Sequence, residues 1–82
     1  MSYFMHVDVT NPNGEIVVSN RDSIAHDKRT DAHALAGRYV DSVGGYAGTT
    51  VKYHLTEASA PFGHWTILRR DGFTEWVSVV SA

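Results

Sequence analysis

The sequence predicts an α+β fold with the element order ββαβββ, in which a mainly antiparallel sheet of about five strands has one amphipathic helix packed on one face. Two patterns lead to this fold. Apolar residues recur at every second position in segments on both sides of the middle of the chain, which is typical of half-buried strands. Between these segments the apolar period changes to about 3.6 residues, which indicates a helix.

The first two strands are predicted to form a hairpin. Alternation across Met5–Val9 is followed by Asn13-Gly14, the favoured residue pair of a two-residue type I′ turn. Such a turn pairs Val9 with Val18 and Asn11 with Ile16. It places four aliphatic side chains on one face of the hairpin: Val7, Val9, Ile16 and Val18.

The helix is predicted over Thr30–Val43. Thr30 or Asp27 is expected to cap its N-terminus, because a side-chain oxygen can accept a hydrogen bond from a free backbone N–H there. Gly44-Gly45 is expected to end the helix in a left-handed conformation, which glycine adopts without a Cβ clash. The apolar face of the helix consists of Ala32, Leu35, Ala36, Tyr39 and Val43.

Three further strands are predicted at Thr49–Thr56, His64–Arg70 and Phe73–Val80. Asp71-Gly72 indicates a hairpin between the last two strands but leaves its register open. A two-residue turn would leave large apolar side chains on both faces. A three-residue loop with Gly72 as a bulge is the better prediction, because it forms the better core. That register gathers Trp65, Ile67, Phe73, Val77 and Val79.

Glu75 is the one acid that lies near the predicted core face. A carboxylate at such a position indicates either an error in the register or a charge that protects an edge strand from aggregation.

One helix covers one face of the sheet, so the other face is expected to be open. Residue parity puts a mixed set of side chains there: His6, Asp8, Val17, Lys52, His54, Thr66, Leu68 and Trp76, with His64 as a further candidate. An exposed Trp beside Leu, with cationic residues at the rim, has the composition of a protein-binding surface. The residues predicted to bind a partner are Trp76, Leu68, His54, Lys52, His6 and Arg70.

Length, charge and cysteine content bound the function. The chain has 82 residues, which suits a single domain over residues 1–82, and a net charge of −2, the opposite of the basic balance expected for phosphate binding. The absence of Cys excludes disulfides and thiol catalysis. The longest aliphatic run, Ile16–Val18, is too short to span a membrane, and no signal peptide is legible, so a cytoplasmic protein is expected.

Five histidines raise the hypothesis of a metal or proton-transfer site, above all at His6, His54 and His64. Their spacing matches no metal-binding motif, so surface imidazoles are the better interpretation. The sequence also has no nucleophile elbow, no phosphate-binding loop and no paired carboxylates. We therefore expect a non-enzymatic protein without a metal or cofactor.

Two function classes remain. The preferred hypothesis is a small protein-interaction module that occludes or bridges a protein partner, such as an accessory or inhibitor protein of a phage or mobile element, with a homodimer as one form of it. The alternative is a module that binds single-stranded nucleic acid by stacking bases on the open sheet face. The net negative charge favours the protein partner.

Overall fold

The computed structural model describes residues 1–55 and 60–82. Within these residues the chain forms one helix, α1 (Arg29–Gly44), and one five-stranded sheet. Neighbouring strands are antiparallel and their spatial order is β2-β1-β5-β4-β3, which confirms the predicted α+β fold. The strands are β1 (Tyr3–Thr10), β2 (Ile16–Arg21), β3 (Thr50–His54), β4 (His64–Leu68) and β5 (Thr74–Ser81).

The pairing of β1 with β5 joins the two halves of the sheet. This ladder runs from Tyr3 opposite Ser81 to Thr10 opposite Thr74. Beyond it, the backbones of residues 2 and 82 exchange two hydrogen bonds of 2.9 Å. The last strand in the chain is therefore the middle strand of the sheet, and residues 77–79 in its centre are buried.

The core lies between α1 and one face of the sheet. Within the described part of the chain, α1 packs on β1, β5, β4 and β3 but makes no contact with β2. Small residues on the inner side of the helix allow a close approach, and a Cβ at Gly37 would lie 4.0 Å from the ring of Trp65. The main buried cluster consists of Ala32, Ala36, Val40, Ile67, Val77 and Val79.

Both predicted helix ends need correction. The N-cap is Lys28, which has no side-chain capping bond, so neither Thr30 nor Asp27 caps the helix. At the other end the C-cap Gly45 is right-handed, with φ −74°. The left-handed glycine comes later in the loop, at Gly48, where φ is +79°.

The first hairpin differs from the predicted one at its turn. Its loop has three residues, because Asn11 receives a hydrogen bond from Gly14 and donates one to Glu15, and the left-handed residue is Gly14 alone. This is a type I turn with a glycine bulge, not a type I′ turn.

Further along the hairpin, the predicted pairing of Val9 with Val18 is confirmed. A register shift next to Val9 then pairs Ile16 with Thr10 instead of Asn11. Directly paired residues share a face, so Ile16 lies on the side of Thr10 and not on the side of Val9 as predicted.

The second hairpin has the predicted three-residue loop. Arg69 donates a hydrogen bond to Phe73 and accepts one from Gly72, whose φ is +85°. The strands are shorter than predicted at the loop end, since β4 ends at Leu68 and β5 begins at Thr74. β3 ends at residue 54, and the predicted strand end at residue 56 lies outside the described residues.

Gly14 and Gly72 provide a test of both loops. We expect Gly14→Ala to lower the free energy of unfolding by about 1–2 kcal/mol, because a Cβ is strained in the left-handed conformation. A Cβ at Gly14 meets no neighbour within 4 Å, so the loss of stability in that variant comes from backbone strain alone. A Cβ at Gly72 would in addition lie 3.2 Å from the side chain of Pro12. Urea unfolding should therefore show a loss for Gly72→Ala at least as large as for Gly14→Ala. Gly14→Asn is the control, because Asn tolerates this conformation; an unaffected Gly14→Ala variant would contradict the loop geometry.

Candidate functional site on the open face of the sheet

We call the sheet face opposite α1 the open face. Directly paired residues lie on the same side of a sheet, so the register defines its members. One row across the strands contains His6, Ser78, His64 and His54, in that order. The next row contains Asp8, Trp76, Thr66 and Lys52. The predicted partner-binding residues His6, Lys52, His54, Leu68 and Trp76 therefore share this face.

A stack of three aromatic rings extends across the open face from the central strand β5 to the edge strand β3. The imidazoles of His54 and His64 are directly paired across β3 and β4, with ring centroids 4.5 Å apart and planes within 8°. The indole of Trp76 lies on the other side of His64, at 3.7 Å and 11°. Because it is covered on both sides, His64 is only 2% exposed although it lies on the open face.

Hydrogen bonding fixes the outer end of this stack. The Nε2 atom of His54 lies 3.0 Å from the hydroxyl of Thr66, its diagonal neighbour on β4. Stacked rings with few rotatable bonds form a preorganised surface. A partner that contacts Trp76 therefore causes little further loss of side-chain conformational entropy. Trp76 itself is partly exposed.

A second group of polar contacts lies on the β1 and β2 side of the open face. The Nε2 atom of His6 is 3.0 Å from the Asp8 carboxylate and 3.3 Å from the Ser19 hydroxyl. The guanidinium of Arg21 stacks over the ring of Phe4 at 4.4 Å from its centroid. The β1–β2 side of the face is therefore mainly polar, apart from the ring of Phe4, whereas the β5–β4–β3 side carries the ring stack.

Two of the predicted partner-binding residues project freely, and one lies elsewhere. Leu68 is 52% exposed, and Lys52 is also exposed. Arg70 lies outside the open face. Its side-chain methylenes pack against Gly48, since a Cβ built on Gly48 would lie 3.1 Å from the Cγ atom of Arg70. That position is in the loop between β4 and β5, on the side of the α1–β3 connection.

The open face has a different charge from the chain as a whole. Among the described residues, the register places Arg21 and Lys52 on it against a single acid, Asp8. That acid is already within hydrogen-bond distance of His6. The net charge of −2 thus comes from acids at the hairpin tips, in the connections, on the helix and in the core.

Glu75 is a buried acid on the helix side of the central strand, with 4% exposure. The Tyr39 hydroxyl donates a hydrogen bond to its Oε1 atom, and the Arg69 guanidinium lies 3.7 Å from Oε2. Burial, together with this contact to a carboxylate, raises the pKa of Tyr39 to about 12. The register is therefore correct and Glu75 is not on an edge strand, which overturns both interpretations made from the sequence.

A cavity of about 850 Å³ lies beside Glu75, between the end of α1 and the β4–β5 loop. Its polar wall contains Arg69, which pairs with Asp71 at 2.6 Å, and Arg70. Among the described residues no group of three or more His, Cys, Asp or Glu side chains has an arrangement that could hold a metal ion.

No family model, curated protein or solved structure matches this chain. A separate property of the fold is that no helix within residues 1–55 and 60–82 is long and apolar enough to cross a membrane.

Sequence reasoning found many members of the open face but placed Ile16 on the opposite side, and it did not reveal the contacts between the members. The three-ring stack depends on the pairing of β3 with β4, and alternation alone does not reveal which strands are neighbours. The contact between Tyr39 and Glu75 could have been predicted from the sequence. Tyr39 lies on the predicted inner face of the helix, and its hydroxyl needs an acceptor when it is buried.

Tyr39→Phe tests the buried hydrogen bond. We expect this variant to lose about 1–3 kcal/mol of unfolding free energy at pH 7, because it leaves a buried carboxylate oxygen without its donor. Urea unfolding gives the value. Tyr46→Phe, in which the replaced ring is 73% exposed, is the matched control and should unfold like the wild type. Equal stability of the Tyr39→Phe variant and the wild type would show that the bond contributes nothing.

The raised pKa of Tyr39 also predicts a pH dependence. The unfolded chain releases this proton near pH 10.0, whereas the folded protein holds it to about pH 12. The stabilisation is therefore fully present below pH 10 and is lost as the pH rises from 10 to 12. Unfolding free energies measured between pH 9 and 12 should fall less steeply for Tyr39→Phe than for the wild type or Tyr46→Phe. Parallel curves for all three proteins would refute the assignment.

Proposed function

We propose that this chain is a small non-enzymatic protein-interaction module that docks a protein partner on its open face. The observation that supports the proposal best is the pairing of an exposed Leu68 with the partly exposed indole of Trp76 on a face that no element of the described chain covers. The two residues are diagonal neighbours on β4 and β5, since Thr74 and Thr66 are their direct partners. Their side chains can therefore contact one partner group together.

The composition of this surface fits the proposal. Interface hot spots are rich in Trp, are surrounded by polar groups that exclude water, and sit near the centre of the contact. Trp76 is on the central strand between the polar neighbours Asp8 and Thr66, while Arg21 and Lys52 lie toward the rim. Such a module acts by occluding or bridging its partner.

The cellular context belongs to the same proposal. We expect the protein to act in the cytoplasm as an accessory or inhibitor protein of a phage or mobile element. A second copy of the chain is one form that the partner can take, since open faces and edge strands of small sheets can also pair with themselves.

A second candidate function is the binding of single-stranded nucleic acid, and one observation favours it. The negative charge that speaks against phosphate binding is not on the open face, where Arg21 and Lys52 outnumber Asp8. Indole and imidazole rings can stack with bases on such a surface.

Leu68→Glu tests the protein-interaction proposal. The side chain is 52% exposed, so we expect the melting temperature to change little while partner capture or self-association falls at least about tenfold, as for an interface hot spot. Affinity purification from the native host and analytical ultracentrifugation measure these two effects. Ile24→Glu is the matched control, because Ile24 is 53% exposed but lies outside the sheet. Identical partners and identical sedimentation for both variants and the wild type would refute the proposal.

The nucleic-acid candidate predicts a different dependence. Fluorescence anisotropy with a labelled deoxythymidine oligonucleotide should show binding at low ionic strength that weakens steeply with added salt, and Lys52→Glu should weaken it further. An absence of binding at low ionic strength would exclude this candidate and leave the protein partner.

A further inference from the structure

β3 is an edge strand whose side chains and backbone are accessible. It lies at one end of the sheet order and has β4 as its only neighbour in the described chain. Val51 and Tyr53, whose side chains point to the helix side, are 39% and 47% exposed, and Leu55, just beyond the strand, is 80% exposed. An edge of this kind can accept a further strand.

The hydrogen bonds of the last hairpin show which backbone groups of β3 point away from β4. The bond from Arg69 to Phe73 makes these two residues a hydrogen-bonded pair. Such pairs alternate with non-bonded pairs along an antiparallel ladder, so residues 65 and 67 direct their N–H and C=O groups toward β5. Residues 64, 66 and 68 therefore direct theirs toward β3.

The same alternation continues into β3. Thr50, Lys52 and His54 face the bonding residues of β4, so their backbone groups are used in that ladder. The N–H and C=O groups of Val51 and Tyr53 point away from the sheet. A strand added to this edge would form backbone hydrogen bonds with these two residues. The residues of that strand that pair directly with Val51 and Tyr53 would place their side chains on the helix side of the sheet.

The other sheet edge is less suitable for an added strand. β2 contains the register shift that pairs Ile16 with Thr10, and such a bulge interrupts the regular row of outward backbone groups. The pairing of β3 with β4 is regular through all five residue pairs. The regular free edge is therefore at β3.

Charge decides what kind of strand fits. In the self-pairing register that uses both Val51 and Tyr53, Lys52 would lie directly opposite Lys52 of a second copy, as a non-bonded pair with closely spaced side chains. Like charges in that position repel, whereas a carboxylate would be attracted.

The helix side of β3 itself offers apolar contacts, whereas the cavity beside it has a mixed polar and apolar lining. Val51 and Tyr53 lie there, and the ring of Tyr53 packs against Trp65 at 5.0 Å. A shallow cavity of about 310 Å³ continues from Tyr53 toward the start of α1. It is lined by Arg29, Thr30, His33, Tyr53, Pro61 and Phe62.

We propose that the β3 edge binds an extended segment of a partner protein in which apolar side chains alternate with acidic ones. The segment adds a sixth strand to the sheet, bonds to the backbones of Val51 and Tyr53, and places a carboxylate opposite Lys52. This inference rests on the proposed function, in that it names the chemistry of the protein partner and a second contact next to the open face.

The test uses the full chain and two synthetic peptides that contain Val-Glu-Val-Glu-Val or Val-Lys-Val-Lys-Val. We expect the acidic peptide to bind at least about fivefold more tightly, and Lys52→Glu to reverse the preference. Amide hydrogen exchange locates the contact: Val51 and Tyr53 should gain protection on binding, whereas Lys52, already bonded to β4, should change little. Equal affinity for both peptides, or new protection elsewhere only, would overturn the proposal.

Val51→Pro and Val51→Ala form a matched pair. Proline removes an outward N–H and leaves the ladder to β4 intact, so it should abolish acidic-peptide binding without a large change in melting temperature. Alanine keeps that N–H and should keep most of the affinity. Equal binding by both variants would refute the added-strand geometry, and protection of Val51 that appears in the protein alone as its concentration rises would show a second copy on this edge instead.

The outcome is distinguishable from failure of the proposed function. If Leu68→Glu abolishes partner capture while neither peptide binds the wild-type chain, the open face is the docking site and the edge proposal is wrong. If the acidic peptide binds as described while Leu68→Glu has no effect, the edge is the docking site and the open face is not. Binding of the deoxythymidine oligonucleotide without binding of either peptide contradicts both.

Discussion

The width of one helix is the constraint on which the rest of this structure depends. Five strands at about 4.8 Å spacing form a sheet about twice as wide as a helix, whose diameter is about 10 Å. α1 is centred on β1 and β5 and does not reach β2. The side of α1 that faces the sheet carries small side chains, with Ala32 and Ala36 fully buried, so the helix axis lies close to the sheet. Exposed edge strands and an uncovered face follow from this arrangement.

A buried acid in the middle of the sheet helps to define a single register. β5 alternates between Glu75 and Val77 on the helix side and Trp76 and Ser78 on the open face. A slip by one residue would move the indole into the core and separate the carboxylate from Tyr39. The hydrogen bond between Tyr39 and Glu75 therefore opposes the same slip that would take Val77 and Val79 out of the core.

The sequence is informative where burial decides the outcome. The loop at Gly72 could be predicted because one register collects Ile67 and Val77 in the core and the other does not. The register shift in β2 could not, because its aliphatic side chains are exposed in either register and burial does not discriminate between them. The order of the strands in the sheet could not be predicted either, because apolar and polar residues alternate in the same way in central and edge strands. For the candidate site, parity placed residues of β1, β3, β4 and β5 on the open face but failed for Ile16 beyond the bulge in β2, and the ring stack needed the neighbours of His64.

The central position of the last strand has a consequence for how the protein is made. β5 supplies the middle of the sheet and pairs with β1, so the contacts that close the core join residues far apart in the chain. During synthesis the first hairpin and α1 emerge before β5, so α1 can pack on β1 early, but the core between the two halves of the sheet closes only after β5 has left the ribosome. Topologies dominated by such distant contacts fold slowly, which gives chaperones and proteases time to act on the incomplete chain.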